Sequence, residues 1–464
     1  MIRIIITLLL TIFSFTASLF SQEITGDWYG KLDIQGTALR INFHVNEKEG
    51  VYTTTMDSPD QGAMGIPTDK TTFLNNTITI SLKKLGVTFN GALNMDEIKG
   101  IFSQSGMKLP LNLSRKKIEA IKPKARPQDP KEPFNYIAEE ITFVNKSANN
   151  IKLSGTLTIP NGIKNPPVAV LISGSGPQNR NEELLNHRPF LVLADYLSSN
   201  GIAVLRFDDR GVAKSEGVFK DATSADFATD VEAAVAYLQT RTDINTKKIG
   251  LIGHSEGGFI APMVAAKNKK IAFIVSLAGT GVDGAEVLRT QANKAMELEG
   301  TAQDHINFND KMTKYIYGLL KKEKNNAVLK QKMTAYLKNA RNEAPKSIAA
   351  VLTDDGITKQ IKTITSPWMS YFIKTDPKQF LCKVKCPVLA INGEKDFQVL
   401  PELNLNGFKN SLKKSKDVTT LELKGLNHLF QTCKTGTFNE YAQIEETFSP
   451  KALKIIGDWI NERF

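Results

Sequence analysis

The sequence predicts an α/β protein: a mostly parallel sheet with helices on both faces, carrying a helical insertion and preceded by a small all-β module. Three observations carry that expectation. From about residue 168 onward, short and wholly apolar runs alternate with helix-length segments, as expected of strands buried on both faces. Ahead of residue 116, by contrast, apolar and polar residues alternate in short runs parted by turn residues. Between the two lies RKKIEAIKPKARPQDPKEP, whose prolines and charges cannot build a core and mark a linker.

Taken in order, residues 1–22 read MIRIIITLLLTIFSFTASLFSQ: a basic residue, an apolar stretch, then small residues near Ala17 to Ser21. This is the pattern of a secretory signal peptide. The mature chain is then expected to be exported, to the periplasm or beyond, with no stable membrane insertion once the signal is removed. The apolar run is near the lower limit for spanning a bilayer and lacks a basic stop-transfer flank. No cysteine lies near the cleavage region, which speaks against a lipid anchor.

Residues 23–115 contain ALRINFHV, GVYTTTM, NNTITISL and VTFNGALNM, and read as an all-β sandwich or small barrel. What this module binds is unknown from its sequence. The linker is expected over 116–133 and the α/β domain over 134–464. In that domain ITFVNKSANNIKLSGTLTIP gives a two-strand lead-in, followed by apolar strands at 168–173, 202–207, 249–253, 271–278, 387–392 and 418–423. About a hundred residues separate the fourth and fifth of these, where one helix would suffice. The surplus, roughly 280–385, holds helical runs such as AEVLRTQANKAMELEG and is expected to form a cap that excludes water and shapes a pocket. Trp368, Met369, Tyr371 and Phe372 near its end are candidates for pocket lining or, more simply, for cap core.

Composition suits a globular enzyme: 464 residues, 41% hydrophobic and 23% charged, enough for two or three domains. The net charge of +11 falls to +10 without Arg3, the single charged residue of 1–22. The excess gathers in the linker and in 282–380 rather than in a compact patch with interleaved aromatics. It reads as a solvated face, and nucleic acid is not an expected partner. The three cysteines, Cys382, Cys386 and Cys433, are expected to be small buried thiols, and no Cys/His cluster has zinc spacing.

The chemistry is concentrated in IGLIGHSEGG at 249–258, where a buried strand breaks into Gly-x-Ser-x-Gly ahead of a helix. A serine at such a sharp turn has strained backbone, so small residues must sit two before and two after it. Its hydroxyl stands clear of the sheet, and the helix N-terminus aims free N–H groups at the same spot. Ser255 is therefore the candidate nucleophile. PVLAINGEKDFQVLP at 387–401 ends in a loop carrying Asp396, with Glu394 its rival, and VTTLELKGLNH at 418–428 carries His428. Of the five histidines only His428 follows a strand near the C-terminus. The order Ser255, Asp396, His428 is that of an α/β-hydrolase triad, in which imidazole takes the serine proton and carboxylate fixes its tautomer. In VAVLISGSGPQNRN at 168–181 the glycine turn supplies the second oxyanion donor, from Ser175 or Gly176, alongside the N–H of Glu256. Asp208, Asp209 and Arg210 are expected to pair and brace the site, with Arg210 reaching Glu256. His254 is expected to point away from the nucleophile.

Five stretches together, GSGPQNRNE at 174–182, RFDDRGVAKSEG at 206–217, GHSEGG at 253–258, NGEKD at 392–396 and the NH at 427–428, resemble bacterial α/β hydrolases of the EstD esterase type over about 135–464. That resemblance implies hydrolysis of carboxylic esters, with short acyl chains as the expected small-molecule substrates and with no cofactor and no metal. GHSEGG and the DxRG segment recur in related serine peptidases, so a peptidase is the alternative. A further alternative is an envelope glycan or lipid binder acting through residues 23–115.

Overall fold

A computed structural model describes residues 23–34, 37–61, 63–104, 107–119 and 126–464. The leader expected over 1–22 and part of the linker lie outside the described residues. The chain divides into two units, with the boundary between Lys122 and Pro123.

The first unit is one antiparallel sheet of nine strands: β1 (Gly26–Ile34), β2 (Thr37–Lys48), β3 (Val51–Ser58), β4 (Ala63–Pro67), β5 (Lys70–Leu74), β6 (Thr77–Leu82), β7 (Val87–Asn94), β8 (Glu97–Gln104) and β9 (Met107–Ser114). The spatial order is β4-β3-β2-β1-β9-β8-β7-β6-β5, so the first and last strands pair at the centre. The sheet curls into a half-barrel, and the Thr71 hydroxyl of β5 reaches the Thr54 hydroxyl of β3 at 2.9 Å. Period-two alternation is clearest in β7, where every second residue from Val87 is buried. The inward side chains, among them Trp28, Phe43, Ile80, Phe89 and Leu111, fill the interior. Trp28 donates from its indole to the carbonyl of Ile24 at 2.7 Å, and the Arg115 guanidinium lies 3.7 Å over its ring. Arg115 also donates to the carbonyls of Thr25 and Glu23, so the last strand is pinned to the start of the first by charge, ring face and backbone together.

The second unit holds an eight-stranded sheet ordered β10-β11-β13-β12-β14-β15-β16-β17: β10 (Tyr136–Asn145), β11 (Ile151–Pro160), β12 (Val168–Ile172), β13 (Ala203–Phe207), β14 (Ile249–His254), β15 (Ile271–Leu277), β16 (Val388–Gly393) and β17 (Val418–Leu423). The lead-in pair and its contact with β13 are antiparallel, and the rest is parallel. Every residue of β12 and β14 is buried, which explains why both are apolar throughout except for the terminal His254. Helices α1 (Pro189–Ser199) and α13 (Pro450–Asn461) cover one face. Helices α2 (Ser224–Leu238), α3 (Glu256–Ala265) and α11 (Pro401–Ser411) cover the other. This is the α/β-hydrolase fold.

The insertion between β15 and β16 is entirely helical: α4 (Gly284–Leu298), α5 (Gln303–Lys322), α6 (Asn326–Glu343), α7 (Lys346–Val351), α8 (Asp354–Ile364), α9 (Pro367–Lys374) and α10 (Lys378–Leu381). It has a core of its own, built from Ile316, Leu329, Met333, Leu337, Ile361 and Ile373. Residues 126–133, expected in the linker, belong to the second unit. Arg126 donates to the carbonyls of Leu185, Ala442 and Ile444, and Gln128 bonds the backbone of Thr447 and Phe448. No sequence pattern announced this, because each contact joins backbone about sixty or about three hundred positions away. None of the helices among the described residues is long and apolar enough to cross a membrane.

Candidate active site

The turn from β14 to α3 sets the geometry. Ser255 sits at φ +51° and ψ −113°, a backbone conformation that side chains rarely adopt. It is held there by its own N–H, which donates to the carbonyl of Leu277 at 2.8 Å. The flanking glycines are obligatory for a steric reason. A Cβ on Gly253 would come within 2.1 Å of the Gly257 carbonyl, and one on Gly257 within 2.1 Å of the carbonyl oxygen of Ile172. Helix α3 starts at Glu256, so the first-turn N–H groups begin directly after the serine.

Asp396 and His428 are both buried, and His428 Nδ1 lies 2.8 Å from Asp396 Oδ2. The other carboxylate oxygen of Asp396 accepts from the N–H groups of Gln398 and Val399, both at 2.9 Å. An Nδ1–H donated to Asp396 leaves Nε2 with its lone pair, the tautomer a general base needs. Glu394, the rival carboxylate, is exposed and accepts from the N–H of Gly425 instead. His428 and Ser255 line one cavity of about 120 Å³, with Gly174, Ser175, Gln178, Glu182, Gln398 and Phe438 also in its wall.

Of the two candidates for the second oxyanion donor, Ser175 lies in that wall and Gly176 does not; Gly176 takes φ +95°. The N–H of Gly174 is committed elsewhere, donating to Glu182 Oε1 at 2.6 Å. The Glu256 side chain turns away from this cavity into a separate small one of about 20 Å³. There it accepts from the Ser224 hydroxyl at 2.5 Å and from the Trp368 indole at 2.8 Å. Burial raises its pKa, against the pull of those two bonds.

Arg210 does not meet Glu256. Its guanidinium pairs with Asp230 of α2 at 2.7 Å and donates to the carbonyl of Asp226, because α2 packs directly against this loop. The bracing expected of the neighbouring acids is present: Asp208 pairs with Arg180 at 2.7 Å, and Asp209 accepts from the Gln178 N–H and the Ser173 hydroxyl. Burial raises the pKa of Asp209 well above the carboxylate range. The residues offered as pocket lining or, more simply, as cap core are absent from the wall of the Ser255 cavity and hold the cap down. Trp368 stacks on Phe372 at 5.6 Å, Phe372 meets Phe259 of α3 edge-on, Met369 packs on the cap core and Tyr371 on the core beneath the sheet. All three cysteines are free thiols, half-buried, with Cys386 pushed up to about 12 by burial.

One candidate site residue escaped sequence reasoning. Glu182, buried, takes both the Gly174 N–H and His254 Nδ1 at 2.9 Å. His254 in turn places Nε2 3.0 Å from the carbonyl of His428. That carbonyl can only accept, so Nε2 carries a proton, and Nδ1 shares a second with the carboxylate. Burial is the largest single influence and works against this charge, but Glu182, the His428 carbonyl and Asp396 together outweigh it and the pKa of His254 is raised. The loops bearing the candidate oxyanion donor, nucleophile and base are thereby joined through one pair of side chains. The final residue of the GSGPQNRNE motif was the available signal, yet nothing local pointed to its partner.

The X-Pro dipeptidyl-peptidase (S15 family) profile matches residues 133–429, and the chain belongs to that family. Esterase EstD of Thermotoga maritima is 25% identical over 298 residues, which make up 64% of this chain and 62% of EstD. The chain thus spans a little under two thirds of that relative, and the EstD likeness read from the motifs stands. The esterase Pf2001 of Pyrococcus furiosus aligns with 71% of this chain and 93% of its own at 15% identity and a TM-score of 0.42. Est1E of Butyrivibrio proteoclasticus aligns with 70% and 98% at 15% identity and a TM-score of 0.40.

Proposed function

We propose that the chain is an exported serine hydrolase that cleaves carboxylic esters with short acyl chains through an acyl-enzyme on Ser255. Ser255 Oγ attacks the ester carbonyl while His428 Nε2 takes its proton, and Asp396 holds the imidazole and offsets the charge it gains. The oxyanion is received by the N–H groups of Glu256 and Ser175. His428 then returns the proton to the departing alkoxide. A water, deprotonated by the same nitrogen, releases the acid and restores the serine. None of these steps calls on a metal or a cofactor. Export is supported by the residue pattern of 1–22 alone.

The observation that favours an ester over a peptide is the state of the acid in the cavity. Glu182 is the one carboxylate among the residues lining it, and its charge is matched by His254. An exopeptidase seizes a peptide's amine with an uncompensated carboxylate, since that charge positions the scissile bond. An ester asks less, because its alcohol leaves more readily than an amine. The family's description keeps the peptidase reading as the second one. The purified enzyme should cleave p-nitrophenyl acetate and butyrate well and aminoacyl or dipeptidyl nitroanilides poorly. Higher kcat/KM on the nitroanilides would replace the esterase reading with the peptidase one. The interior of the N-terminal barrel is filled by its own side chains, so a lipid or glycan partner of that unit would meet its outer surface.

A further inference from the structure

A second cavity, of about 420 Å³, opens in the same unit. Ala295 and Leu298 from the end of cap helix α4 form one side, and Phe397 from the Asp396 loop forms another. Glu299 beside Leu298, and Thr435, Thr437, Phe438 and Asn439 around the start of α12 (Phe438–Tyr441), complete it. Phe438 also lines the cavity that holds Ser255 and His428, so one ring is the wall between the two spaces. It packs edge-on to Phe397 at 4.8 Å and to Tyr441 at 5.6 Å. More than half of it is solvent-exposed, at 52%, so it is free to turn in a way that a core ring is not. The sizes matter. At about 120 Å³ the catalytic cavity is smaller than the ~300 to 1,000 Å³ usual for a ligand site, and with its neighbour it enters that range.

We propose that the second cavity is a subsite of the same active centre for the aliphatic chain of an ester whose carbonyl sits at Ser255, and that Phe438 sets the length admitted. The inference rests on the ester-hydrolase reading. Leu298, Ala295 and the two phenyl rings offer the chain an apolar bed, while the exposed Glu299 disfavours an anionic end. An unbranched chain is the natural occupant, since it can pass the edge of a single ring where a bulky group cannot. The chain can belong to the acid or to the alcohol, and the geometry at Phe438 serves either.

The test uses the full chain with two substrate series, p-nitrophenyl esters from acetate to decanoate and alkyl acetates from ethyl to decyl. The readout is the ratio of kcat/KM for the longest to the shortest member. At roughly fourfold per seated methylene, Phe438→Ala should raise that ratio by about tenfold or more in one series, which identifies the side that carries the chain. Leu298→Trp, which fills the second cavity from the opposite wall, should lower the ratio in the wild-type background and cancel the gain in the Phe438→Ala background. Fluorophosphonate labelling of Ser255 in each variant reports that the site is still folded. Labelled variants whose ratios match wild type in both series would overturn the subsite while leaving the esterase reading intact. Absence of Ser255-dependent hydrolysis of even the acetate by wild type would overturn both.

Discussion

Two histidine–carboxylate pairs lie side by side in this molecule, with their rings 4.8 Å apart; both reach the wall of the Ser255 cavity, and they differ in what the second ring nitrogen meets. His428 gives one nitrogen to Asp396 and turns the rest of its ring toward the cavity of Ser255. His254 has the same chemistry and a similarly buried carboxylate, yet both of its nitrogens are occupied, one by Glu182 and the other by the carbonyl of His428. A base needs a lone pair with nowhere else to go, and His254 has none. The contrast teaches that fitness to act as a base is set by what the second nitrogen meets, not by the pairing with an acid. The two are also not independent, since the closed pair fixes the backbone from which the open one projects.

The largest effect should come from the group that the open pair serves. Ser255→Ala should lower kcat by on the order of 10⁵ to 10⁶, since triad members act as a unit, and should abolish labelling by a fluorophosphonate. Labelling that survives would place the nucleophile elsewhere and dissolve the comparison.

Next, Asp396→Asn should cost about 10⁴ in kcat by presenting the wrong imidazole tautomer, whereas Glu394→Gln, which touches only the N–H of Gly425, should change activity little. The opposite ranking would mean that the loop is read incorrectly. On the acid side the rate should fall for any histidine base, because imidazolium cannot accept the serine proton.

The closed pair should give a smaller and different signature. Glu182→Gln keeps an oxygen for the Gly174 N–H but removes the charge facing His254, so the three loops lose their common tie. We expect kcat to fall roughly 10- to 100-fold, as for a slight misplacement of reacting groups, with KM changing much less. The sign of the pH effect separates this from simple loosening. The pKa of folded His254 is raised above 6.5, so the pair's contribution to stability is complete below about that pH. It is then lost as pH rises through the folded value. The melting temperature of wild type should therefore decline on the alkaline side, and that decline should be shallower in Glu182→Gln. Parallel profiles would show that His254 carries no shifted proton.

Sequence alone determined what is local or ordered along the chain. The unbroken apolar strands, the steric need for glycine at 253 and 257, and the succession Ser255, Asp396, His428 all follow from covalent geometry and burial of the nearest neighbours. So does the helical insertion, whose length exceeds what the sheet requires. Tertiary structure decided the rest. The sequence favoured Asp396 over its rival Glu394 but held no contact that separates them, because two residues apart in one loop they differ only in direction, and direction is fixed by the Gln398 and Val399 N–H groups on one side and Gly425 on the other. Arg210 found Asp230 rather than Glu256, and Trp368 found Glu256 rather than the pocket, through packing of α2 and the cap. Glu182 acquired its place by meeting a histidine 72 positions away. A side chain's role of this kind depends on which distant groups share its burial, and no pattern of neighbours in the sequence encodes that meeting.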